Sequence, residues 1–373
     1  MQDLYLILEN GRVFAGKSFG WQGEVMGELV FTTAMVGYLE TLTDPSFYGQ
    51  MVIQTFPLIG NYGVIPADFE STKPHLCAYI VREWCQEPSN FRMEGNLDTF
   101  LVENHIVGLY GIDTRALTRI IREKGVMNAK ITSNPEVTPE VLAEIKAYKL
   151  KDAVNSMTSR DKEPVGSGRR VVLWDFGAKN SITQNLVKHG CEVINMPADS
   201  TAEQILAQQP QGIMLSNGPG DPADNISIVA ELQKLLVSNI PMFGICMGHQ
   251  LLALASGAKT GKLHYGHRGA NQPIKDLLTG QVFISCQNHG YEVLNDTLPE
   301  VAKLRYINAN DGSCEGIDYL DKPAFSVQFH PEAAAGPLDA GFLFDRFMKM
   351  IDASLAENAD KAAQKSGRKR ICH

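Results

Sequence analysis

The residues best suited to covalent chemistry lie in the stretch Pro241-Met242-Phe243-Gly244-Ile245-Cys246-Met247-Gly248-His249-Gln250. An apolar run bounded by Pro and Gly reads as the end of a buried strand, and Leu251 to Ala255 reads as a packed helix stopped by Gly257. Cys246 then sits at the bend, facing a helix N-terminus whose unpaired N–H groups and dipole favour a thiolate. Gly244 and Gly248 permit a sharp, strained turn of the nucleophile-elbow kind. The same residue types also describe a small core cysteine, so the nucleophile reading depends on finding a base. Gln328-Phe329-His330-Pro331-Glu332 supplies one: the apolar run from Ala324 delivers His330 at a strand end, and Pro331 stiffens the exit. Glu332 can turn back to the far ring nitrogen, fixing the tautomer and supporting the imidazolium, although His-Pro-Glu is also a good simple turn.

Two further segments could hold a substrate. Ser216-Asn217-Gly218-Pro219-Gly220-Asp221-Pro222 follows a buried-strand pattern, and its glycines let backbone amides approach a developing oxyanion. Gln287-Asn288-His289-Gly290-Tyr291 gathers amide, imidazole and aromatic groups in a Gly turn that could bind the carboxylate and amine of an amino acid. Each is equally a plain turn or hairpin when taken alone, and the first lacks the Lys-Ser/Thr of a phosphate loop.

Positioning these groups requires strands ending on one side of a sheet, and the second half of the chain has that pattern. Val171 to Phe176, Glu192 to Met196 and Gly212 to Ser216 alternate with helices near Ile182, Ala202 and Ile228. The alternation predicts a mostly parallel α/β sheet with its site at the carboxyl strand ends. The first half is β-rich, opening with a hairpin around Asn10-Gly11, and then carries helices over Thr114 to Lys124 and from Pro139. The expected domains are residues 1–150, a linker at 151–170, an α/β domain at 171–355, and a polar, disordered tail at 356–373. A chain of 373 residues with 44% hydrophobic and 20% charged residues suits a soluble two-domain protein. Its net charge of -8 speaks against a nucleic-acid or anionic-membrane surface. Seven scattered cysteines without a C-x-x-C pair argue for reduced thiols and against a disulfide framework or a zinc site built on them, and neither a membrane span nor a secretory leader is expected. The expectation is a cytoplasmic protein.

Together, Gly-Ile-Cys-Met-Gly-His-Gln, Ser-Asn-Gly-Pro-Gly-Asp-Pro and His-Pro-Glu-Ala resemble the motifs of the class I (triad) glutamine amidotransferases. The resemblance implies Cys246 as nucleophile on the glutamine side-chain amide, His330 as base and then acid, and Glu332 as its orienting group. It also implies oxyanion-hole amides from Gly220 and Met247, and glutamine contacts from Gly218, Gln250, Asn288, Gly290 and Tyr291. In the first half, Leu-Glu-Asn-Gly-Arg-Val-Phe, Leu42-Thr43-Asp44-Pro45-Ser46, Gly60-Asn61-Tyr62-Gly63 and Gly111-Ile112-Asp113-Thr114-Arg115 resemble the small subunit of carbamoyl-phosphate synthetase. That implies Ser46 as a further glutamine contact and, as partner, a large synthetase subunit in a heterodimer or higher oligomer. It also places ATP, magnesium and bicarbonate on the partner, with no cofactor in this chain, and carbamoyl phosphate for arginine and pyrimidine synthesis as the product. The chain departs from the family at Thr32-Thr33-Ala34-Met35-Val36, at Ser181 and Gln184, and at Ala334-Ala335, without touching a catalytic group. An amidotransferase feeding another synthase, and a non-enzymatic scaffold with a vestigial pocket, are the competing readings. The fitted first domain opposes the former, and the intact Cys246, His330 and Glu332 the latter.

Overall fold

The computed structural model describes residues 2–160 and 162–369, residues 362–369 as backbone only. The first half contains β1 (Asp3–Leu8), β2 (Val13–Gly20), β3 (Val25–Thr32), α1 (Tyr38–Thr43), β4 (Gln50–Gln54), β5 (Leu58–Ile59), β6 (Ala78–Ile80) and β7 (Glu83–Trp84). It continues with α2 (Leu97–Glu103), β8 (Val107–Tyr110), α3 (Thr114–Lys124), β9 (Met127–Thr132) and α4 (Pro139–Ala147). Seven of these strands close into a barrel in the order β1-β2-β8-β6-β4-β3-β9, with β5 and β7 paired beside it. The Asn-Gly signal is realised as the β1–β2 hairpin, where Gly11 has φ 83° and its N–H donates to Leu8 O at 2.8 Å. Asp113 caps α3 by accepting from Ala116 N, and Gly125 ends it at φ 91°. The barrel interior is apolar, filled by residues such as Leu6, Leu29, Ile53, Leu109 and Ile131.

The second half runs α5 (Ala153–Met157), β10 (Val165–Gly166), β11 (Arg169–Asp175), α6 (Asn180–Lys188), β12 (Cys191–Pro197), α7 (Ala202–Ala207), β13 (Gly212–Leu215), α8 (Ile226–Leu236), β14 (Met242–Ile245) and α9 (Met247–Ala255). After these come β15 (Thr260–Asp276), β16 (Val282–Val293), β17 (Ala302–Asn308), β18 (Cys314–Tyr319), β19 (Ala324–Val327) and α10 (Phe342–Lys369). The strands form one ten-stranded sheet, β10-β12-β11-β13-β14-β19-β18-β17-β15-β16. Its β12 to β19 portion is parallel, and β18, β17, β15 and β16 continue it antiparallel. Alternation along β11 feeds two cores: Val172 and Trp174 pack with Leu232 and Leu251 from α8 and α9, whereas Val171 and Leu173 pack with Ile182, Phe344 and Phe347 from α6 and α10. The strand C-termini therefore share one edge, as the βαβ pattern predicts.

Three departures from the sequence expectation have physical causes. The linker is not a free tether, because Val154 in α5 is buried in the sheet core and β11 begins at Arg169. The long β15 is hidden in the sequence by Gly261, Gly266, Gly269 and Pro273; the sheet keeps Gly261 and Pro273 in register and shifts register between Lys262 and His267 and between Gly269 and Gln272. The helix α10 continues to Lys369 through the first part of the segment expected to be a disordered tail. That segment is rich in Ala and Lys, which are good helix formers and hold a helix without a packing face. Arg370 of the basic run lies outside the described residues.

The halves are joined by polar contacts around Glu70 on the barrel side. Its carboxylate accepts from Ser181 Oγ at 2.8 Å and Ser181 N at 3.1 Å, and its carbonyl accepts from Asn180 N at 2.8 Å, all at the N-terminus of α6. Glu70→Ala leaves two buried donors unpaired and is expected to lower unfolding stability by about 1–3 kcal/mol. Urea denaturation checks this, and an unchanged midpoint would show that the clamp carries no stability.

Candidate active site

Cys246 is the junction of β14 and α9, and its backbone is left-handed in φ, at φ 52° and ψ -102°. A non-glycine residue in this region is strained, and it persists only where the surroundings force it. Two glycines make it possible. A Cβ on Gly248 would lie 2.3 Å from Leu215 O, and one on Gly244 would lie 2.7 Å from Gly248 O, so only hydrogen fits where strand and helix cross. The Gly248 N–H donates to Ser216 O at 2.9 Å, and among the described residues no backbone acceptor takes the Met247 N–H. Gly220, at φ 91°, bends the loop after β13 towards the same place.

His330 arrives from the neighbouring strand. Just beyond β19 its N–H donates to Cys286 O at 2.9 Å, which ties it to β16. Nδ1 lies 2.6 Å from Glu332 Oε1, the contact expected of a residue two positions on. Nε2 is buried without a hydrogen-bond partner, and the Cys246 thiol, which donates to Asn288 O at 3.7 Å, is also among the groups that raise this ring's pKa. Burial and the Lys179 ammonium depress the imidazole pKa, but Glu332 and Cys246 outweigh both and raise it from 6.5 to about 10. Burial opposes the Glu332 charge, yet His330 and Lys179 hold that carboxyl well below its ordinary range.

The structure adds two groups to the constellation. Lys179 Nζ lies 3.2 Å from both His330 Nδ1 and Glu332 Oε1, and 3.8 Å from Asp44 Oδ2. Burial works against its charge, and Asp44, Glu332 and Glu70 outweigh it and keep the group an ammonium. Asp44 in turn accepts from Asn288 Nδ2 at 3.0 Å and from Ser46 N at 2.9 Å, while Ser46 Oγ accepts from Asn217 Nδ2 at 2.9 Å. Nothing in the sequence marks Lys179, which follows an apolar strand like any helix-capping residue. Asp44 stands there in the Leu42–Ser46 stretch that carries the family resemblance, with no role of its own assigned.

These groups border a cavity of about 470 Å³ between barrel and sheet. Cys246 lines it, as do Ser46, Gly218, Gly220, Gln250, Asn288, Gly290 and Tyr291; Met247 does not reach the lining, nor do His330 and Glu332. His330 instead lines a smaller cavity of about 50 Å³ on its other side, together with Lys179, Asp44 and Glu70. Gln250 touches the large cavity, but its amide N–H₂ is committed to Tyr291 O at 2.8 Å and Gln328 Oε1 at 2.9 Å, so it shapes the binding loop. Arg268, Glu28 and Lys262 add charge to the wall, with Lys262 Nζ 2.6 Å from Glu28 Oε1 across the two halves.

Residues 6–131 match the family model described as carbamoyl-phosphate synthase small chain, CPSase domain, and residues 172–350 match glutamine amidotransferase class-I. A carbamoyl phosphate synthase small chain of Clostridium perfringens is 50% identical over 345 residues, covering 92% of this chain and 98% of its own. One from Fusobacterium nucleatum is 50% identical over 358 residues, covering 95% of this chain and 100% of its own. The chain belongs to the carbamoyl-phosphate synthase small chain family. Among solved structures, a glutamine amidotransferase of Thermotoga maritima matches 52% of this chain and 85% of its own, with 16% identity and a TM-score of 0.37.

The charge arrangement fixes a pH dependence. A raised imidazole pKa contributes stability that is complete below the ordinary 6.5 and is lost as pH rises through about 10. Glu332→Gln removes the main upward cause, so its alkaline loss of stability is expected at lower pH than in the wild type. Melting temperatures measured between about pH 6 and about pH 10 test this, and superimposable profiles would dissociate Glu332 from His330.

Proposed function

We propose that this chain is the glutamine-hydrolysing subunit of a carbamoyl-phosphate synthase. Cys246 Sγ attacks the side-chain amide carbon of L-glutamine while His330 Nε2 accepts the thiol proton. The carbonyl oxygen becomes an oxyanion, for which the Gly220 and Met247 amides are the candidate donors. When the tetrahedral species collapses, the His330 proton goes to the departing nitrogen, and ammonia leaves with a glutamyl thioester behind. Water, deprotonated by His330, then releases glutamate and regenerates the thiol. Glu332 holds the imidazole through Nδ1 and compensates its charge during both halves.

The observation that carries this reading is the positive-φ cysteine beside a buried His-Glu pair, at the wall of a cavity the barrel helps to close through Ser46. Asn288, Gly290 and Tyr291 supply amide, backbone and ring contacts for the α-amino acid end of glutamine, and Gly218 allows close approach. The partner is a large synthetase subunit that consumes ammonia with bicarbonate, ATP and magnesium, yielding carbamoyl phosphate for arginine and pyrimidine synthesis. A heterodimer is the simplest assembly. A cytoplasmic location fits the free thiols of the described cysteines, and no described helix is long and apolar enough to cross a membrane.

The decisive comparison uses the complex with its large subunit, bicarbonate and ATP. Cys246→Ser is expected to reduce glutamine-dependent carbamoyl phosphate formation by at least about 10³-fold while sparing synthesis from free ammonia. Persistent glutamine use would refute the nucleophile, and loss of both activities would make the cysteine structural. Glutamine hydrolysis by the wild type without carbamoyl phosphate would point to another synthase.

A further inference from the structure

Behind the segment that carries Asn288, Gly290 and Tyr291, three strands bring His267 (β15), His289 (β16) and Glu315 (β18) together. All three are buried, and one ligating atom of each lies within 4.8 Å of the others. His267 Nδ1 is 3.3 Å from Glu315 Oε1, and His289 Nε2 is 3.7 Å from the same oxygen and 3.2 Å from Gln287 Oε1. The far nitrogens are also taken: His267 Nε2 lies 2.8 Å from Asp311 Oδ2, and His289 Nδ1 lies 2.8 Å from Tyr291 O. Metal-binding imidazoles are held in this way, by a carboxylate or backbone carbonyl on the nitrogen that faces away from the ion. Glu315 Oε2 is buried with no hydrogen-bond partner.

His267 has partners without an ion, since Asn308 Nδ2 also lies 3.4 Å from its Nδ1, but protons alone satisfy His289 poorly. A neutral His289 that donates through Nδ1 to Tyr291 O sets its Nε2 lone pair against the Gln287 and Glu315 oxygens, and the other tautomer sets Nδ1 against the Tyr291 carbonyl. Ligand bonds of about 2.0–2.2 Å in a tetrahedral site separate the ligand atoms by about 3.3–3.6 Å; three of the separations here are 3.2, 3.3 and 3.7 Å, and the two imidazoles lie within 4.8 Å of each other.

We propose that His267, His289 and Glu315, with the Gln287 side-chain oxygen as fourth donor, form a site for one divalent cation of the zinc class. Two imidazoles favour such an ion over magnesium or calcium, which prefer oxygen ligands throughout. Access is from the Asp311 side, where that side chain is 45% exposed. The ion ties β15 and β16 to β18 and fixes the 287–291 segment that borders the large cavity; it takes part in no chemical step.

The test uses the full chain and zinc alone. After equilibration and dialysis, about one retained zinc per chain is expected, and cobalt(II) should give tetrahedral d–d absorption without a thiolate charge-transfer band. Asp311→Asn, at a half-exposed position that leaves every ligand in place, should weaken zinc binding by about 10–100-fold; Glu315→Gln should abolish it. Should Glu315→Gln fail to fold by circular dichroism, Asp311→Asn decides. No retained ion in folded wild type, a sulfur charge-transfer band, or unchanged affinity in Asp311→Asn would each overturn the proposal. Zinc stoichiometry is independent of glutaminase activity, so this site and the proposed reaction can fail separately.

Discussion

The buried ammonium of Lys179 is the interaction on which the rest of the site depends. An isolated charge in the interior is costly, and here it is balanced by carboxylates from both halves of the chain: Asp44 and Glu70 from the barrel, Glu332 from beyond the last parallel strand. Once Lys179 is fixed, the positions of Asp44 and Glu332 follow, and through them those of Asn288, Ser46 and His330. Removing any one carboxylate would take away part of the charge that balances Lys179, beside an imidazole whose own pKa Glu332 helps to raise. Orientation of the candidate base and docking of the barrel are consequently parts of one electrostatic arrangement.

The second constraint is steric. Close-packed β13, β14 and α9 leave room only for hydrogen at Gly244 and Gly248, and this crowding forces the left-handed bend at Cys246. The parallel sheet supplies the rigidity that keeps such a bend, since β14 is paired on both sides and buried on both faces. A thiol on a mobile loop would relax to an ordinary backbone conformation. The strain sits where the fold can hold it, at the edge shared by the strand ends.

Much of this is legible in local signals. The Asn10-Gly11 hairpin, the Asp113 cap and the strand-helix alternation after Val171 depend on neighbours within a few residues, so pattern and propensity suffice. Where glycine and proline interrupt a strand that long-range pairing completes, as in β15, local reading fails. It fails also at the C-terminal helix, whose polar composition is compatible with either disorder or a solvated helix. Lys179 carries no signal at all, because its importance comes from three carboxylates at positions 44, 70 and 332.

By itself, the sequence determined the chemistry available: a cysteine between two glycines, a His-Pro-Glu at a strand end, and the substrate loops that accompany them. Residue type, short spacing and motif order are properties of the chain, and they also carried the family resemblance. The tertiary structure alone decided that Ser46 and Asp44 from the barrel face the sheet's loops, that Lys179 sits against His330, and that His267, His289 and Glu315 converge. Those contacts join residues tens to hundreds of positions apart, and their energies depend on burial and shared charge, which exist only once the chain has folded.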